Sequence, residues 1–266
     1  MILVKAGGGA GLNWEGIALD LAELHQAVPL ILVHGANALR NEIAARLGIT
    51  LHTVVSPSGI ASVYTNREAL DVFLMAYAGV ANKRIVALLQ RHGLRAVGLS
   101  GVDGRLWEAK AKKDLLVSDN GKTKLLRDNL TGRVERINAE LLHLLLDHGY
   151  VPVMCAPAIS REHEIVNTDN DTAAAVMAAE LKLKTVVFLF EAPGLLREAD
   201  RPESLIPRLS PSELDGCLAW ARGRIQKKLM AAKQALESGV QEVIFGDGRL
   251  KNPVKEALAG RGTVIR

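Results

Sequence analysis

Only two cysteines, Cys155 and Cys217, occur in 266 residues, and neither has a second Cys or a His at metal-knuckle spacing. They read as reduced, partly buried small hydrophobes, which excludes a disulfide framework and points to a cytosolic protein of cytoplasmic location. Aromatic residues make up just 4% of the chain, and the formal charge is a modest +4. No basic stripe is interleaved with Phe or Tyr, so stacking on nucleic acid is not expected. Long apolar runs are lacking as well. Val186 to Phe190 is typical, far short of the ~20 residues that span a bilayer, and no membrane partner is expected. Met1-Ile2-Leu3-Val4-Lys5 runs straight into glycines without the pattern of a secretory signal.

What is present is a repeated strand, loop and helix grammar. Ile2 to Lys5 is apolar and β-branched, ends in Gly7-Gly8-Gly9, and is followed by a segment from Trp14 to Gln26 with Ile17, Leu21 and Leu24 at helical spacing. Leu30 to Val33, His34-Gly35-Ala36-Asn37 and a helix from Ala38 to Leu47 repeat it. Arg95 to Leu99, Val151 to Cys155 and Thr185 to Phe190 are further strands, each ending in a loop. Continuously apolar strands alternating with helices predict an α/β fold: a largely parallel sheet covered on both faces. Ligands then belong at the carboxyl ends of the strands. Between Lys110 and Arg127 the pattern changes to Asp114 to Ser118 and Lys122 to Leu126, joined around Asn120-Gly121, which reads as an inserted basic β-hairpin. Asn167 to Lys182 and Gly223 to Glu237 are expected helices.

Three features carry chemistry. A glycine triplet after a buried strand lets backbone N–H groups approach an anion, although such a loop is also compatible with a turn that holds nothing. Gly7 to Gly11 lacks the Gly-x-Gly-x-x-Gly register of a dinucleotide site, and no Gly-Lys-Ser or Gly-Lys-Thr follows it as a P-loop requires. The lysine, Lys5, precedes the glycines instead. At the end of a central strand its ammonium should point into a cleft holding negative charge. Asn167-Thr168-Asp169-Asn170-Asp171 brings amide and carboxylate groups to a helix start, and Gly223 to Lys228 puts a second lysine near another, where it opposes the dipole unless an anion is close.

Val4-Lys5-Ala6-Gly7-Gly8, Val33-His34-Gly35, Asn82-Lys83, Gly98-Leu99-Ser100-Gly101-x-Asp103-Gly104, Thr131-Gly132-x-Val134, Asn167-x-x-x-Asp171, Pro193-Gly194-Leu195-Leu196 and Gly223-x-x-x-x-Lys228 stand in the order of the amino acid kinase family. The chain resembles that family over nearly its whole length. Within it the likeness is to kinases of N-blocked acidic amino acids: N-acetylglutamate, or 2-aminoadipate and glutamate linked to a small acidic amino-group carrier protein of the LysW type. The resemblance implies an αβα sandwich with an acceptor-binding lobe, including a homodimer interface, over 1–165 and a nucleotide-binding lobe over 166–266. It implies ATP with Mg²⁺ as cofactor and no metal ligands from the protein. Lys5 and Lys228 would neutralise the transferring phosphoryl group, with Asp171 orienting both ammonium groups. Gly7 and Gly8 would donate backbone N–H groups to the phosphates, Pro193 and Gly194 would shape the nucleotide pocket, and Gly35, Ala36, Val63 and Asn167 would line the acceptor site. Lys110, Lys112, Lys113, Lys122, Lys124 and Arg127 would dock the acidic carrier. A carboxylate acceptor, with a pKa near 4, is already a nucleophile at neutral pH, so the chemistry needs positioning and charge neutralisation rather than a base.

Some residues depart from the family pattern. Ala36 stands where glycine is usual, and its methyl is expected to crowd a contact to the acceptor. Val63 stands where related enzymes carry an arginine that grips the acceptor's α-carboxylate, and Phe190 replaces a small hydroxyl residue. The phosphoryl-transfer residues are intact while acceptor-side residues have changed, which favours an altered acceptor over an inactive nucleotide-binding relative.

Overall fold

Alternation along the first strand sets up the whole architecture, because Leu3 and Lys5 face one side of the sheet while Val4 and Ala6 face the other. The computed structural model describes residues 1–57, 59–119 and 122–266. In chain order the strands are β1 (Ile2–Ala6), β2 (Leu30–His34), β3 (Thr53–Val55), β4 (Ala61–Val63), β5 (Ala96–Gly101), β6 (Trp107–Lys112), β7 (Leu115–Asp119), β8 (Lys122–Leu126), β9 (Thr131–Ile137), β10 (Val151–Ser160), β11 (Ile165–Val166), β12 (Thr185–Phe190), β13 (Arg208–Leu209), β14 (Glu242–Asp247) and β15 (Thr263–Ile265). The helices are α1 (Trp14–Leu24), α2 (Asn37–Arg46), α3 (Arg67–Phe73), α4 (Asn82–Arg91), α5 (Ala139–Asp147), α6 (Asn170–Glu180), α7 (Leu214–Trp220), α8 (Gly223–Glu237) and α9 (Pro253–Leu258).

The main sheet runs β13-β15-β14-β12-β1-β2-β10-β6-β9, with β5 and β11 also paired to β10. Its centre, β14-β12-β1-β2-β10-β5, is parallel throughout, and β1 lies in the middle with Lys5 registered between Val33 of β2 and Phe188 of β12. Antiparallel pairing in this sheet joins β15 to β14, β9 to β6 and the short β11 to the end of β10. One apolar layer, containing Leu3, Val33, Phe188 and Phe245, packs under residues of α6 and α8. The other, containing Val4, Leu32, Val187 and Ile244, packs under residues of α1, α4 and α9. This is the two-faced α/β sandwich that the apolar strands predict.

The expected hairpin is present as a separate antiparallel pair, Leu115 opposite Leu126 through Asp119 opposite Lys122. Its Asn120-Gly121 turn lies outside the described residues. One element was not expected from the sequence. α3, a π-helical segment at Leu74–Ala81 and α4 form a continuous helix of 25 residues over Arg67–Arg91, holding an 18-residue stretch of mean hydropathy 1.5, long and apolar enough by length and composition to cross a membrane. Its inner side is core: Phe73, Ala76, Tyr77, Ile85 and Leu89 are buried, and the side chain of Asn82 donates to the Val153 carbonyl of β10.

Candidate active site

Three charges from three distant segments meet on the side of the sheet covered by α6 and α8. Asp171 sits in the first turn of α6, where Asp169 caps the helix by accepting from the backbone N–H of Asp171 at 2.9 Å and of Thr172 at 3.0 Å. Buried alanines do the rest. Ala174 and Ala178 on α6, with Ala231 and Ala235 on α8, are almost solvent-free, and small side chains let the two helices pack closely enough for Lys228 to reach Asp171. Lys228 Nζ donates to Asp171 Oδ2 at 2.9 Å and Oδ1 at 3.2 Å, and Lys5 from β1 forms an ion pair with Oδ1. All three side chains are at least nine-tenths buried.

Burial alone would raise the Asp171 pKa, but the charges of Lys228 and Lys5 overcome it and hold the carboxyl well below its usual range. Burial pushes Lys228 down to about 8, against the pull of Asp171 and with help from the like charge of Lys5. Two ammonium groups on one carboxylate leave a net positive charge in a desolvated place, and a charge so placed is stabilised by an incoming anion. Phe190 lies beside it, with Lys228 Nζ 5.2 Å from the ring centroid. The substitution noted at Phe190 therefore touches the site itself.

The two strand-to-helix loops beside Lys5 are pressed together. A Cβ on Gly8 would lie 2.6 Å from Ala36 N, and one on Gly35 would lie 2.9 Å from Gly8 N, so glycine is required at both positions. Ala38 N–H donates to Gly8 O at 2.9 Å across the same contact. The expectation for Gly7 needs correction. Its N–H donates to Leu189 O at 2.8 Å and is not free for a phosphate, because parallel pairing with β12 continues one residue past the strand. Gly8, Gly9 and Ala10 carry no backbone N–H bond within the described residues and supply the available donors instead. Glu191, absent from the sequence reading as a site residue, reaches into this loop: its Oε1 accepts from Gly11 N at 2.6 Å, and a side chain at Gly9 would strike the carboxylate.

His34 ends β2 but points to the opposite face. It is fully buried, and burial lowers its pKa to about 4. Lys83 Nζ donates to Asn82 Oδ1 at 3.0 Å, which fixes that amide so that Asn82 Nδ2 donates to His34 Nε2 at 3.1 Å. The imidazole is therefore neutral, with its proton on Nδ1 facing Gly35 O at 3.2 Å, and it braces the second loop.

On the acceptor side, Asn167 Nδ2 donates to Thr65 Oγ1 at 3.1 Å, and Thr65 in turn donates to Val63 O at 3.1 Å. Asn167 Oδ1 is buried with no partner among the described residues, leaving an acceptor for an incoming N–H group. Val63 is half-buried against the core and contributes no charge. Ala36 is 4% exposed and joins the apolar core, so its methyl packs inward, contrary to the expected crowding of the acceptor. Gly194, at φ 152°, is fixed against β15, where Leu195 N–H donates to Thr263 Oγ1 at 2.8 Å, and Pro193 precedes it.

The basic residues lie apart from the trio. Lys110 and Lys112 are exposed on β6, with Lys110 directly opposite Arg133 of β9, and Lys122 and Lys124 are exposed on β8. Lys113 pairs with Glu164 at 3.1 Å, and Arg127 O accepts from Tyr64 Oη at 2.8 Å. Lys110, Lys112, Lys122, Lys124 and the Arg127 guanidinium have no acidic partner among the described residues. A groove of about 500 Å³ lined by Lys112, Arg133, Leu218 and Met230 flanks this region. It reaches Asp169 but neither lysine of the trio, so the charged centre rather than the cavity marks the candidate site.

Known proteins resemble the chain over its whole length. A LysW-aminoadipate kinase of Thermus thermophilus is 43% identical over 269 residues, covering 100% of both chains. A LysW-aminoadipate/LysW-glutamate kinase of Saccharolobus islandicus is 35% identical over 268 residues, covering 100% of this chain and 99% of its own. The N-acetylglutamate synthase of Neisseria gonorrhoeae, solved with coenzyme A and N-acetyl-glutamate, superposes with a TM-score of 0.79 at 24% identity, over 99% of this chain and 58% of that one, and so shares the fold. The family model described as the amino acid kinase family matches residues 1–247, a stretch that holds Lys5, Asp171 and Lys228 together with both glycine loops, and the chain belongs to that family.

Proposed function

We propose that this protein transfers the γ-phosphoryl group of ATP to the side-chain carboxylate of an N-blocked acidic amino acid of the 2-aminoadipate or glutamate type, presented on an acidic amino-group carrier protein. The observation that carries the reading is a charged centre in which neither His34 nor Asp171 can serve as a base. His34 is neutral, engaged at both nitrogens and on the other face, while Asp171 is held far too acidic to take a proton at neutral pH. An acceptor there must arrive already ionised, which a carboxylate does and an alcohol does not. The relatives' names, LysW-aminoadipate and LysW-glutamate kinase, favour the carrier-linked form over free N-acetylglutamate.

In the proposed reaction an oxygen of the acceptor carboxylate attacks the γ-phosphorus. The bond from that phosphorus to the β-bridging oxygen breaks, giving an acyl phosphate and ADP. Lys5 and Lys228 lie on the path of the transferred group and offset its charge, while the N–H groups of Gly8, Gly9 and Ala10 hold the phosphates. Asn167 Oδ1 accepts from the blocked nitrogen of the acceptor. In this reading Mg²⁺ arrives with the nucleotide, on its phosphate oxygens. Bound there, Mg²⁺ would offset charge on the β- and γ-oxygens. We assign acceptor binding and a homodimer interface to 1–165 and nucleotide binding to 166–266, with Pro193 and Gly194 shaping the nucleotide pocket.

An ATP-dependent hydroxamate assay tests the reading, since hydroxylamine traps acyl phosphates. Product is expected with carrier-linked 2-aminoadipate or glutamate and less with the free N-acetyl acids. ATP binding without hydroxamate from any acceptor would replace this reading with a non-catalytic nucleotide-binding protein.

A further inference from the structure

Two arginines near the charged centre are left without acidic partners. Arg40 lies one helical turn into α2 beyond Ala36, half-buried, with its guanidinium carbon 5.0 Å from the centroid of the Phe73 ring. Its Nε and Nη2 donate to the amide oxygen of the adjacent Asn41, at 3.2 and 2.8 Å, and the Tyr77 hydroxyl is its other polar neighbour. Arg40 is in none of the ion pairs found among the described residues. Beside it the Tyr77 hydroxyl bonds Asn37 at the start of the same helix. Arg224 stands one turn before Lys228 on α8, exposed and likewise without an acidic partner among the described residues. Burial lowers the Arg40 pKa, and Arg224 is close enough to lower it further, so the two cations repel each other.

A half-buried guanidinium that faces a like charge and meets only neutral groups, an amide and the Tyr77 phenol, gains most when a carboxylate enters beside it. The position of Arg40 says which carboxylate. It rises from α2, whose first residues pack on Gly8 and whose Leu39 and Ile43 pack against the same apolar layer as Val63, whereas the phosphate donors belong to the β1 loop. Val63 offers no charge, and Arg67 is exposed at the start of α3.

We infer that Arg40 binds the second, non-reacting carboxylate of a dicarboxylate acceptor, with Arg224 approaching the same anion from the nucleotide side. The inference rests on the proposed carboxylate kinase reading and names how its acceptor is recognised. Arg40 touches a group that does not react, so it governs acceptor affinity more than turnover.

The test is a cycle between side chain and ligand group, read by calorimetric binding in the presence of a non-hydrolysable ATP analogue. The probes are N-acetyl-2-aminoadipate and 5-acetamidopentanoate, which keeps the reacting carboxylate and lacks the second one. The native protein is expected to prefer the dicarboxylate by about tenfold or more. Arg40→Met should reduce the preference to about twofold or less, Arg40→Lys should be intermediate, and affinity for the ATP analogue should stay unchanged in both. A native preference that survives in Arg40→Met, or a native protein without preference, overturns the inference. Hydroxamate formation measured on the same probes separates the two ideas. A preference that depends on Arg40 without any acyl phosphate would sink the kinase reading and leave the carboxylate site standing.

Discussion

Lys228 donates to both oxygens of Asp171 while Lys5, from the central strand, takes one of them, so a single buried carboxylate sets the position of two ammonium groups. In the proposed reaction this arrangement is preorganised for a phosphoryl group whose negative charge is spread over three oxygens. Removing one ammonium deletes charge stabilisation that grows in the transition state, whereas removing the carboxylate leaves two buried cations to repel each other.

Lys5→Ala and Lys228→Ala are each expected to lower kcat by about a hundredfold or more with the fold intact. Asp171→Asn should lower kcat and also cost about 3–5 kcal/mol of stability, the penalty for breaking a buried pair. Steady-state kinetics beside thermal melts checks both, and unchanged turnover in either lysine variant removes that lysine from the mechanism.

The Lys228 pKa of about 8, against 10.5 for the ordinary side chain, gives a pH signature. Catalysis needs the charged form, so kcat/KM should fall as pH rises through about 8. Bound phosphates favour the ammonium, so the corresponding fall in kcat should begin at higher pH. Lys228→Arg, which stays charged, should keep some activity and lose the alkaline limb. For stability the signs differ. Lys228 is bound to its proton less tightly when folded, so its contribution is least favourable below the folded value and improves as pH rises towards the unfolded value. The folded pKa of Asp171 is depressed, so its contribution is present above 3.8 and is lost as pH falls through the folded value. An alkaline limb that persists in Lys228→Arg would assign it to another group.

The strands and their loops were legible because buried parallel strands are apolar throughout and end in glycine. Lys5 stood out as a charge inside such a strand. The contact between Lys228 and Asp171 crosses 57 residues of sequence and had no local signal, so it was named only through family resemblance. The loss of Gly7 as a donor was invisible for a similar reason, since its partner, Leu189 O, belongs to a neighbouring strand. The helix over Arg67–Arg91 escaped because a π-helical segment interrupts its periodicity, and with it went Tyr77 and the Phe73 ring beneath Arg40.

Glu191 supplies a prediction that the sequence did not suggest. Its carboxylate occupies the glycine loop at Gly11, close to the N–H groups offered to phosphate, and must give way or repel the nucleotide. Glu191→Gln should therefore lower KM for ATP severalfold with little change in kcat. A raised KM would mean that the carboxylate serves the nucleotide, for instance through its ribose.

Val63 separates acceptor choice from chemistry. It sits half-buried in β4 beside Thr65, which bonds Asn167, so an arginine placed there would bring a guanidinium to the acceptor side. Val63→Arg is expected to improve use of free N-acetylglutamate relative to the native acceptor, as a ratio of kcat/KM values. No change in that ratio would leave the carboxylate in the keeping of other residues, Arg40 foremost.

The hairpin prediction turns on charge that has nothing to neutralise it. Lys122 and Lys124 are exposed on β8, paired in backbone register with Asp119 and Val117, and neither meets an acidic side chain among the described residues. Lys110 stands opposite Arg133 on the adjoining ribbon, a like-charged cross-strand pair that costs stability unless an anionic partner offsets it. Such a rim speeds encounter with an acidic protein and fixes its orientation, while adding little to the chemical step. Replacing Lys122 and Lys124 by Glu should therefore lower kcat/KM for a carrier-linked acceptor, chiefly through KM, and should hardly affect a small free acceptor. The loss should shrink as salt is raised, because exposed charges are screened beyond ~10 Å at 0.1 M. Equal losses on both acceptors would place the lysines in the fold or the chemistry, and no loss with the carrier would return the hairpin to an ordinary solvated loop.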